Sequence, residues 1–125
     1  MIVVDGSNVR GTRPDGWWRD KAGAMHRLFD RLTRLHEIVG EPVVLVLDVA
    51  QADLPEGGDG VRVVNALRPG RDAADRRILE LLDELDEPSV EVVTSDRALA
   101  DAATRPGVRV TGAGAFLQRL DDLGC

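Results

Sequence analysis

The sequence has little cysteine, few aromatic residues and no long apolar segment. Its single cysteine, Cys125, excludes a disulfide framework and a cysteine-based zinc site. Aromatic residues make up 3% of the 125 residues, so aliphatic side chains must fill the core. No apolar run approaches the ~20 residues of a membrane-spanning helix, and the first residues do not have the pattern of a secretion signal. We therefore expect one cytoplasmic domain over residues 1–125, without membrane contact.

Lysine is also nearly absent, because Lys21 is the only one among 16 basic residues. Acidic residues number 22 and give a net charge of −6, whereas a nucleic-acid-binding protein is more usually basic. The excess of arginine has two interpretations. It reflects genomic base composition, or it serves phosphate recognition, for which the guanidinium fork is better suited than an ammonium group. The positions of the charges are therefore more informative than their sum.

Five short valine-rich runs, each bounded by turn residues, have the pattern of strands buried on both faces. They cover residues 2–4, 43–47, 61–64, 90–93 and 108–110. Apolar residues at steps of three and four predict helices over about 19–39, 73–85, 95 or 96 to 103, and 113–123. This order predicts an α/β domain, a three-layer sandwich with a mostly parallel sheet of about five strands. The segments 6–16 and 51–60 are rich in Gly, Pro and Asp and are predicted to be loops.

Acidic residues stand next to the ends of these strands. Asp5, Asp48 and Asp96 follow the first, second and fourth strands, and Asp72 and Asp75 begin the helix that leads into the fourth. In an open parallel sheet these positions share the edge at which ligands bind. Carboxylates so close together repel one another unless a cation lies among them, usually a hard divalent ion. Each acid also has a structural interpretation, since Asp is common in turns and at helix N-caps.

Other sites of phosphate or nucleophile chemistry do not fit the sequence. There is no Gly-Lys-Ser/Thr of a P-loop and no Gly-x-Ser-x-Gly of a nucleophile elbow. The Gly-x-Gly at Gly112 fails the dinucleotide-binding pattern, because Leu117 stands at the position of its third glycine. A receiver domain needs a lysine after the fifth strand, and a haloacid-dehalogenase-type phosphatase needs Asp where Ser7 stands. Both are disfavoured.

Four segments in register carry a resemblance to a known family. They are Asp5-Gly6-Ser7-Asn8 with Arg10-Gly11, the strand 44–48, Asp72-Ala73-Ala74-Asp75, and Thr94-Ser95-Asp96. Together with 107–108 and 112–117, they resemble the NYN domains, a branch of the PIN-like nuclease superfamily. The resemblance extends over essentially the whole chain and implies a single PIN-like NYN domain. It also implies a sheet in the order 3-2-1-4-5.

The resemblance further implies a metal-dependent ribonuclease that hydrolyses RNA phosphodiester bonds. Asp5, Asp96 and one or both of Asp72 and Asp75 would hold Mg²⁺ or Mn²⁺. Asn8 would orient an acid or a phosphate oxygen. The family often has Glu at the position of Asp72, so one ligand could act through water.

Two further positions bear on the substrate. Ser95 would support the site through its hydroxyl. At Ser7 the family often has Tyr or Asn. The departure at Ser7 removes an aromatic side chain that could stack on a base, but it removes no acid.

Basic and aromatic residues next to the acids are candidates for RNA binding, because phosphates pair with arginine and bases stack on tryptophan. The candidates are Arg10, Arg13, Trp17, Arg71 and Arg97, together with the hydroxyl of Ser95. Trp17 and Trp18 have an alternative role, which is to anchor the first helix on the core. Arg76 and Arg77 have the pattern of a solvated helix face.

Two alternative functions share the predicted fold. A toxin-type PIN nuclease would have the same site and would be controlled by a partner protein. A catalytically silent domain would bind RNA or protein. The complete set of acids favours an enzyme over a silent domain. The sequence leaves a protein partner and the oligomeric state open.

Overall fold

The computed structural model describes residues 1–55 and 60–125, which form a five-stranded sheet with helices on both faces. The strands are β1 (Ile2–Asp5), β2 (Val43–Leu47), β3 (Val61–Asn65), β4 (Val90–Val93) and β5 (Val108–Thr111). The helices are α1 (Gly6–Arg10), α2 (Lys21–Val39), α3 (Ala73–Glu84), α4 (Arg97–Ala103) and α5 (Ala113–Leu123), and a 3-10 turn covers Trp17–Arg19. All neighbouring strands are parallel, in the order β3-β2-β1-β4-β5. The predicted fold class and strand order are confirmed.

One face of the sheet packs against α1, α2 and α5. Val4 and Leu45 point to this side, where they meet Leu32 of α2 and Phe116 of α5, and all four are fully buried. Burial of each such side chain contributes roughly 1.5–3 kcal/mol. The longest helix, α2, begins at Asp20, whose carboxylate accepts a hydrogen bond of 3.0 Å from the backbone N–H of Gly23.

The opposite face packs against α3 and α4. Val3 and Val92 of the sheet meet Ile78 of α3 and Leu99 of α4 on this side. Adjacent residues of one strand, such as Val3 and Val4, are therefore buried on opposite faces. This explains why the strands lack polar alternation in the sequence.

The predicted loop over 6–16 is wrong in its first part, where the chain forms α1. A Cβ atom at Gly6 would lie 2.8 Å from the carbonyl oxygen of Val46, so glycine is needed for α1 to start this close to β2. A helix of five residues also has too few turns to show an apolar period. In the predicted loop 51–60, residues 51–55 form no helix or strand, and residues 56–59 lie outside the described residues.

A buried acid fastens α5 to the sheet. Glu91 of β4 is 3% exposed, and Arg119 of α5 donates two hydrogen bonds to it, at 2.9 and 2.6 Å. The hydroxyl of Thr111 on β5 donates to the same carboxylate. Burial alone would raise the pKa of Glu91, but these hydrogen bonds outweigh it and hold the pKa below its usual value.

The strand order creates a crevice between β1 and β4. The chain runs from β1 outward through β2 to β3, and then returns to place β4 on the other side of β1. Connections leave the sheet in opposite directions at this point, so the carboxyl ends of β1 and β4 border an open edge. Within residues 1–55 and 60–125, no helix is both long and apolar enough to cross a membrane.

Candidate active site at the carboxyl ends of β1 and β4

Asp5 is the last residue of β1 and lies at the bottom of the crevice. It is 4% exposed, and its Oδ2 accepts a hydrogen bond of 2.8 Å from the hydroxyl of Thr94. Burial raises the pKa of Asp5. The hydrogen bonds from Thr94 and from the backbone of Asn8 oppose this rise, while the nearby charges of Asp96 and Asp48 add to it. A buried carboxyl among other acids is costly to ionise without a cation.

Asp96 lies across the crevice, at the start of α4. Its Oδ1 accepts a hydrogen bond of 3.1 Å from the backbone N–H of Leu99, which caps the helix as predicted. Its own backbone N–H donates to Oγ1 of Thr94 at 3.1 Å. The helix cap thus fixes the side chain of Asp96 through one oxygen and leaves the second for a ligand.

Asp75 and Asp72 come from the first turn of α3. The pKa of Asp75 is raised to about 6, first by burial and then by the charges of Asp96, Asp5 and Asp72. Asp72 occupies the N-cap position, but its exposed side chain makes no capping hydrogen bond. The structure therefore brings the four acids predicted as metal ligands to one edge of the sheet, where Asp75 lies close enough to Asp5, Asp72 and Asp96 to feel their charges.

Asp48 follows β2 at the same edge but has a different partner. Its Oδ1 accepts hydrogen bonds from the Ser7 hydroxyl at 2.7 Å and from the backbone N–H of Val49 at 2.9 Å. Ser7, at which the sequence departs from the family pattern, therefore links α1 to the end of β2.

The donor atoms of this edge suit a hard divalent cation. In the part of the chain that the structure describes, no three His, Cys, Asp or Glu side chains are placed to hold a metal ion. The chemistry of the group nevertheless fits one, because carboxylate oxygens are the ligands that Mg²⁺ and Mn²⁺ prefer. Burial raises the pKa values of Asp5 and Asp75 most, and the charges of neighbouring acids raise them further, so ionisation carries a cost that a cation would relieve.

Asn8 and Ser95 tie three elements together around the acids. Oδ1 of Asn8 accepts a hydrogen bond of 2.7 Å from the backbone N–H of Ser95. The Ser95 hydroxyl accepts one of 2.8 Å from the backbone N–H of Ala113, the first residue of α5. Both side chains thus hold the turn after β4 in place. Their expected contacts with phosphate or RNA stay predictions.

The other candidate RNA-binding residues fall into two groups. Arg10 and Arg13 make contacts within the protein. The Arg10 guanidinium lies 5.4 Å from the ring centroid of Trp17, and Arg13 forms an ion pair of 2.8 Å with Asp121. In contrast, Arg71 and Arg97 are exposed beside the acids, and neither has a hydrogen-bond or ion-pair partner among the described residues.

The two tryptophans contact each other edge to face, with ring centroids 6.0 Å apart. Trp17 is half-buried against Arg10, and Trp18 is 49% exposed. Trp17 therefore packs on Arg10 and the ring of Trp18 is more accessible, and the expected contact of Trp17 with RNA stays a prediction.

Sequence reasoning missed Thr94 as a site residue. The sequence does contain an indication of this role, because Thr94 is the first polar residue after β4 and that strand neighbours β1.

Comparison with solved structures finds this fold in Rae1 (YacP) from Bacillus subtilis. A tryptophan-to-leucine mutant of Rae1 matches with a TM-score of 0.80 and 23% sequence identity, over 98% of this chain and 76% of that chain. A second Rae1 structure matches with a TM-score of 0.77 and 21% identity, over 99% and 75% of the two chains. At this identity the likeness shows the fold. No family model matches the sequence, and no curated protein matches it.

Proposed function

We propose that this protein is a ribonuclease that depends on Mg²⁺ or Mn²⁺ and hydrolyses RNA phosphodiester bonds at the crevice between β1 and β4. The observation that carries the proposal is the convergence of Asp5, Asp72, Asp75 and Asp96 at that crevice. The resemblance of the same residues to the NYN motifs supports it. So does the structural likeness to Rae1, which supports the fold on which those motifs would act.

The metal ligands in this proposal are Asp5, Asp96 and one or both of Asp72 and Asp75. A bound divalent ion supplies neutralisation of the phosphate charge and a lowered pKa for water. The chain supplies the geometry. Thr94 orients Asp5, and the N-cap bond to Leu99 orients Asp96. At neutral pH the carboxyl of Asp75, with its pKa near 6, is mainly ionised and able to bind a cation.

The proposed RNA-binding residues lie on both sides of the acids. Arg71 precedes the acidic start of α3, and Arg97 directly follows Asp96. Both guanidinium groups are exposed and have no partner in the described part of the chain, so they can pair with phosphates. The exposed ring of Trp18 offers a stacking surface for a base.

The experiment is RNA cleavage by the purified protein with MgCl₂ or MnCl₂ and with EDTA. Asp5→Asn and Asp96→Asn test the site, and Asp101→Asn is the matched control, because Asp101 is exposed on the same helix as Leu99. We expect cleavage to need metal and to fall by on the order of 10²-fold or more in the two site variants. The control variant should match the wild type.

Circular dichroism and thermal unfolding establish that each variant folds. Cleavage that persists in EDTA would overturn the metal dependence. Full activity in a folded Asp5→Asn variant would overturn the ligand assignment. If the wild type cleaves no RNA with either ion, the ribonuclease proposal is wrong. Metal binding without cleavage would then favour a domain that binds RNA or protein.

A further inference from the structure

Four arginines line a cavity between α1, α2 and α5. They are Arg10, Arg13, Arg27 and Arg31, and the apolar wall is formed by Val9, Ala24, Leu28 and Leu117. The cavity volume is about 80 Å³, several times the ~10–15 Å³ that one water molecule needs. Among the described residues, none of the four acids of the candidate active site lines this arginine cavity.

Positive charge exceeds negative charge around the cavity. Asp121 is shared by two of the arginines, with Arg13 Nη2 at 2.8 Å from one oxygen and Arg31 Nη2 at 2.6 Å from the other. Asp15 also lines the cavity, but its Oδ1 accepts a hydrogen bond of 3.2 Å from the backbone N–H of Trp17. The two carboxylates therefore leave two guanidinium groups without an acidic partner.

Those two groups are Arg10 and Arg27. The Nε atom of Arg10 is buried and has no hydrogen-bond partner within residues 1–55 and 60–125. Its Nη1 makes only a long hydrogen bond of 3.4 Å to the carbonyl oxygen of Lys21. Arg27 is exposed and makes no hydrogen bond or ion pair in the same part of the chain. Arg10 and Arg27 therefore carry positive charge that no carboxylate of the described residues neutralises, and a bound anion would balance it.

We propose that the arginine cavity binds one phosphate group. Guanidinium groups match the oxygens of a phosphate with paired N–H donors, and the cavity is large enough for a tetrahedral anion. The phosphate belongs to RNA or is free in solution. The RNA source rests on the proposed ribonuclease function. It is favoured because α1, only five residues long, starts at the acidic edge and ends at Arg10 in the cavity.

The first arm of the test uses inorganic phosphate alone, followed by NMR of backbone amide and arginine Nε–H signals. Arg27→Gln is the test variant, since the Arg27 side chain makes no hydrogen bond or ion pair that its loss would break within residues 1–55 and 60–125. Arg34→Gln on α2 is the matched control, because Arg34 is exposed and does not line the cavity. We expect the Arg10 Nε–H signal of the wild type to shift. The phosphate affinity should fall about tenfold in Arg27→Gln and stay unchanged in Arg34→Gln.

The second arm uses a short single-stranded RNA in EDTA, with binding followed by fluorescence anisotropy at several salt concentrations. If the cavity binds an RNA phosphate, Arg27→Gln will weaken binding. It will also reduce the slope of log K against log salt by about 0.7 relative to Arg34→Gln. Weakened phosphate binding with unchanged RNA binding would identify free phosphate as the ligand.

Equal phosphate affinity in the wild type and Arg27→Gln would overturn the proposal. The result is separable from the ribonuclease assay. Phosphate binding in the cavity without any RNA cleavage would leave this inference standing and the proposed function wrong. RNA cleavage without phosphate binding in the cavity would support the proposed function and overturn this inference.

Discussion

The hydroxyl of Thr94 joins two acids of the candidate site. Its Oγ1 donates to Oδ2 of Asp5 at 2.8 Å and accepts from the backbone N–H of Asp96 at 3.1 Å. Asp5 ends β1 and Asp96 begins α4, so one buried side chain sets the position of both carboxylates across the crevice. Thr94 itself is not one of the predicted metal ligands, yet both bonds depend on its hydroxyl.

Replacing Thr94 by Val keeps the branched shape and removes the hydroxyl. The pKa of Asp5 should rise further, because the hydrogen bond from Thr94 lowers it, and the backbone N–H of Asp96 loses its acceptor. We expect a loss of stability of roughly 1–3 kcal/mol, measured by urea unfolding. The acid limb of the pH–rate profile should move to higher pH. Thr94→Ser, which keeps the hydroxyl, is the control, and an identical pH profile in both variants would contradict this role.

The burial of Asp75, together with the charges of the neighbouring acids, predicts an unusual dependence of stability on pH. Its pKa is raised from 3.8 to about 6 in the folded protein, so between these values the folded state binds more protons than the unfolded state. The contribution of Asp75 to the free energy of unfolding therefore decreases as pH rises from about 4 to about 6. In EDTA at neutral pH, Asp75→Asn should be more stable than the wild type, while losing RNA cleavage.

Urea unfolding of both proteins at several pH values measures this effect. The difference in stability should shrink toward pH of about 4, where Asp75 is protonated in the folded protein. Asp101→Asn, an exposed residue on α4, is the control. If Asp75→Asn is less stable than the wild type at neutral pH, the raised pKa of Asp75 is contradicted.

Metal binding should offset the loss of stability that ionised Asp75 causes at neutral pH. A divalent ion that binds only the folded state raises the free energy of unfolding by mass action, by about 2.7 kcal/mol at one hundred times the dissociation constant, and the unfolding temperature rises with it. We expect MgCl₂ or MnCl₂ to raise the melting temperature at neutral pH and much less at pH of about 4.5, because protons compete for Asp5 and Asp75. The shift should be absent in Asp5→Asn. An equal shift in that variant would place the metal elsewhere.

Gly6 allows α1 to approach β2. A Cβ atom there would lie 2.8 Å from the carbonyl oxygen of Val46, so Gly6→Ala should cost about 1–3 kcal/mol and displace Asn8 from the turn after β4. Gly114→Ala is the matched control, because no atom lies within 4 Å of a Cβ at that position on α5. The control should be unchanged or stabilised by up to ~1 kcal/mol. Thermal unfolding compares the two, and equal stability would contradict the close packing.

The Glu91–Arg119 pair should be the costliest ion pair to break. Arg119→Met leaves a carboxylate that is 3% exposed without its two strong hydrogen bonds, and we expect a loss of about 3–5 kcal/mol. Arg109→Met is the control. The Arg109 guanidinium lies 3.6 Å from Glu91 but is 67% exposed, so its loss should cost about 0–1 kcal/mol.

Urea unfolding compares Arg119→Met with Arg109→Met, and similar losses of stability in both would show that Arg119 does not compensate the burial of Glu91. The pH dependence has a defined sign. Because the pKa of Glu91 is lowered in the folded protein, its stabilising contribution is present above its unfolded pKa of 4.5 and is lost as pH falls through the folded value.

The sequence predicts the strands and the acidic edge well, for physical reasons. Runs such as Val43–Leu47 are buried on both faces, which produces an unbroken apolar signal. A parallel sheet then carries the residue after each strand to one edge, so Asp5 and Asp96 could be placed together before the structure was known.

Features that depend on packing between distant segments were not predictable. Glu91 pairs with Arg119, which lies 28 positions later in the chain. No local sequence pattern marks the two residues as partners. The arginine cavity needs α1 to pack on α2, which brings Arg10 to Arg27. Helix α1 has only five residues, too few to show a helical period of apolar residues in the sequence.

Because β1 lies at the centre of the sheet, the acidic edge can be completed only late in the synthesis of the chain. Its neighbours β2 and β4 both come later in the chain, and Thr94 follows Asp5 by 89 positions. A growing polypeptide therefore cannot assemble the acidic edge until β4 and α4 have left the ribosome. We expect a nascent chain that stops before β4 to lack the proposed activity, which would begin only when translation of the domain is nearly finished.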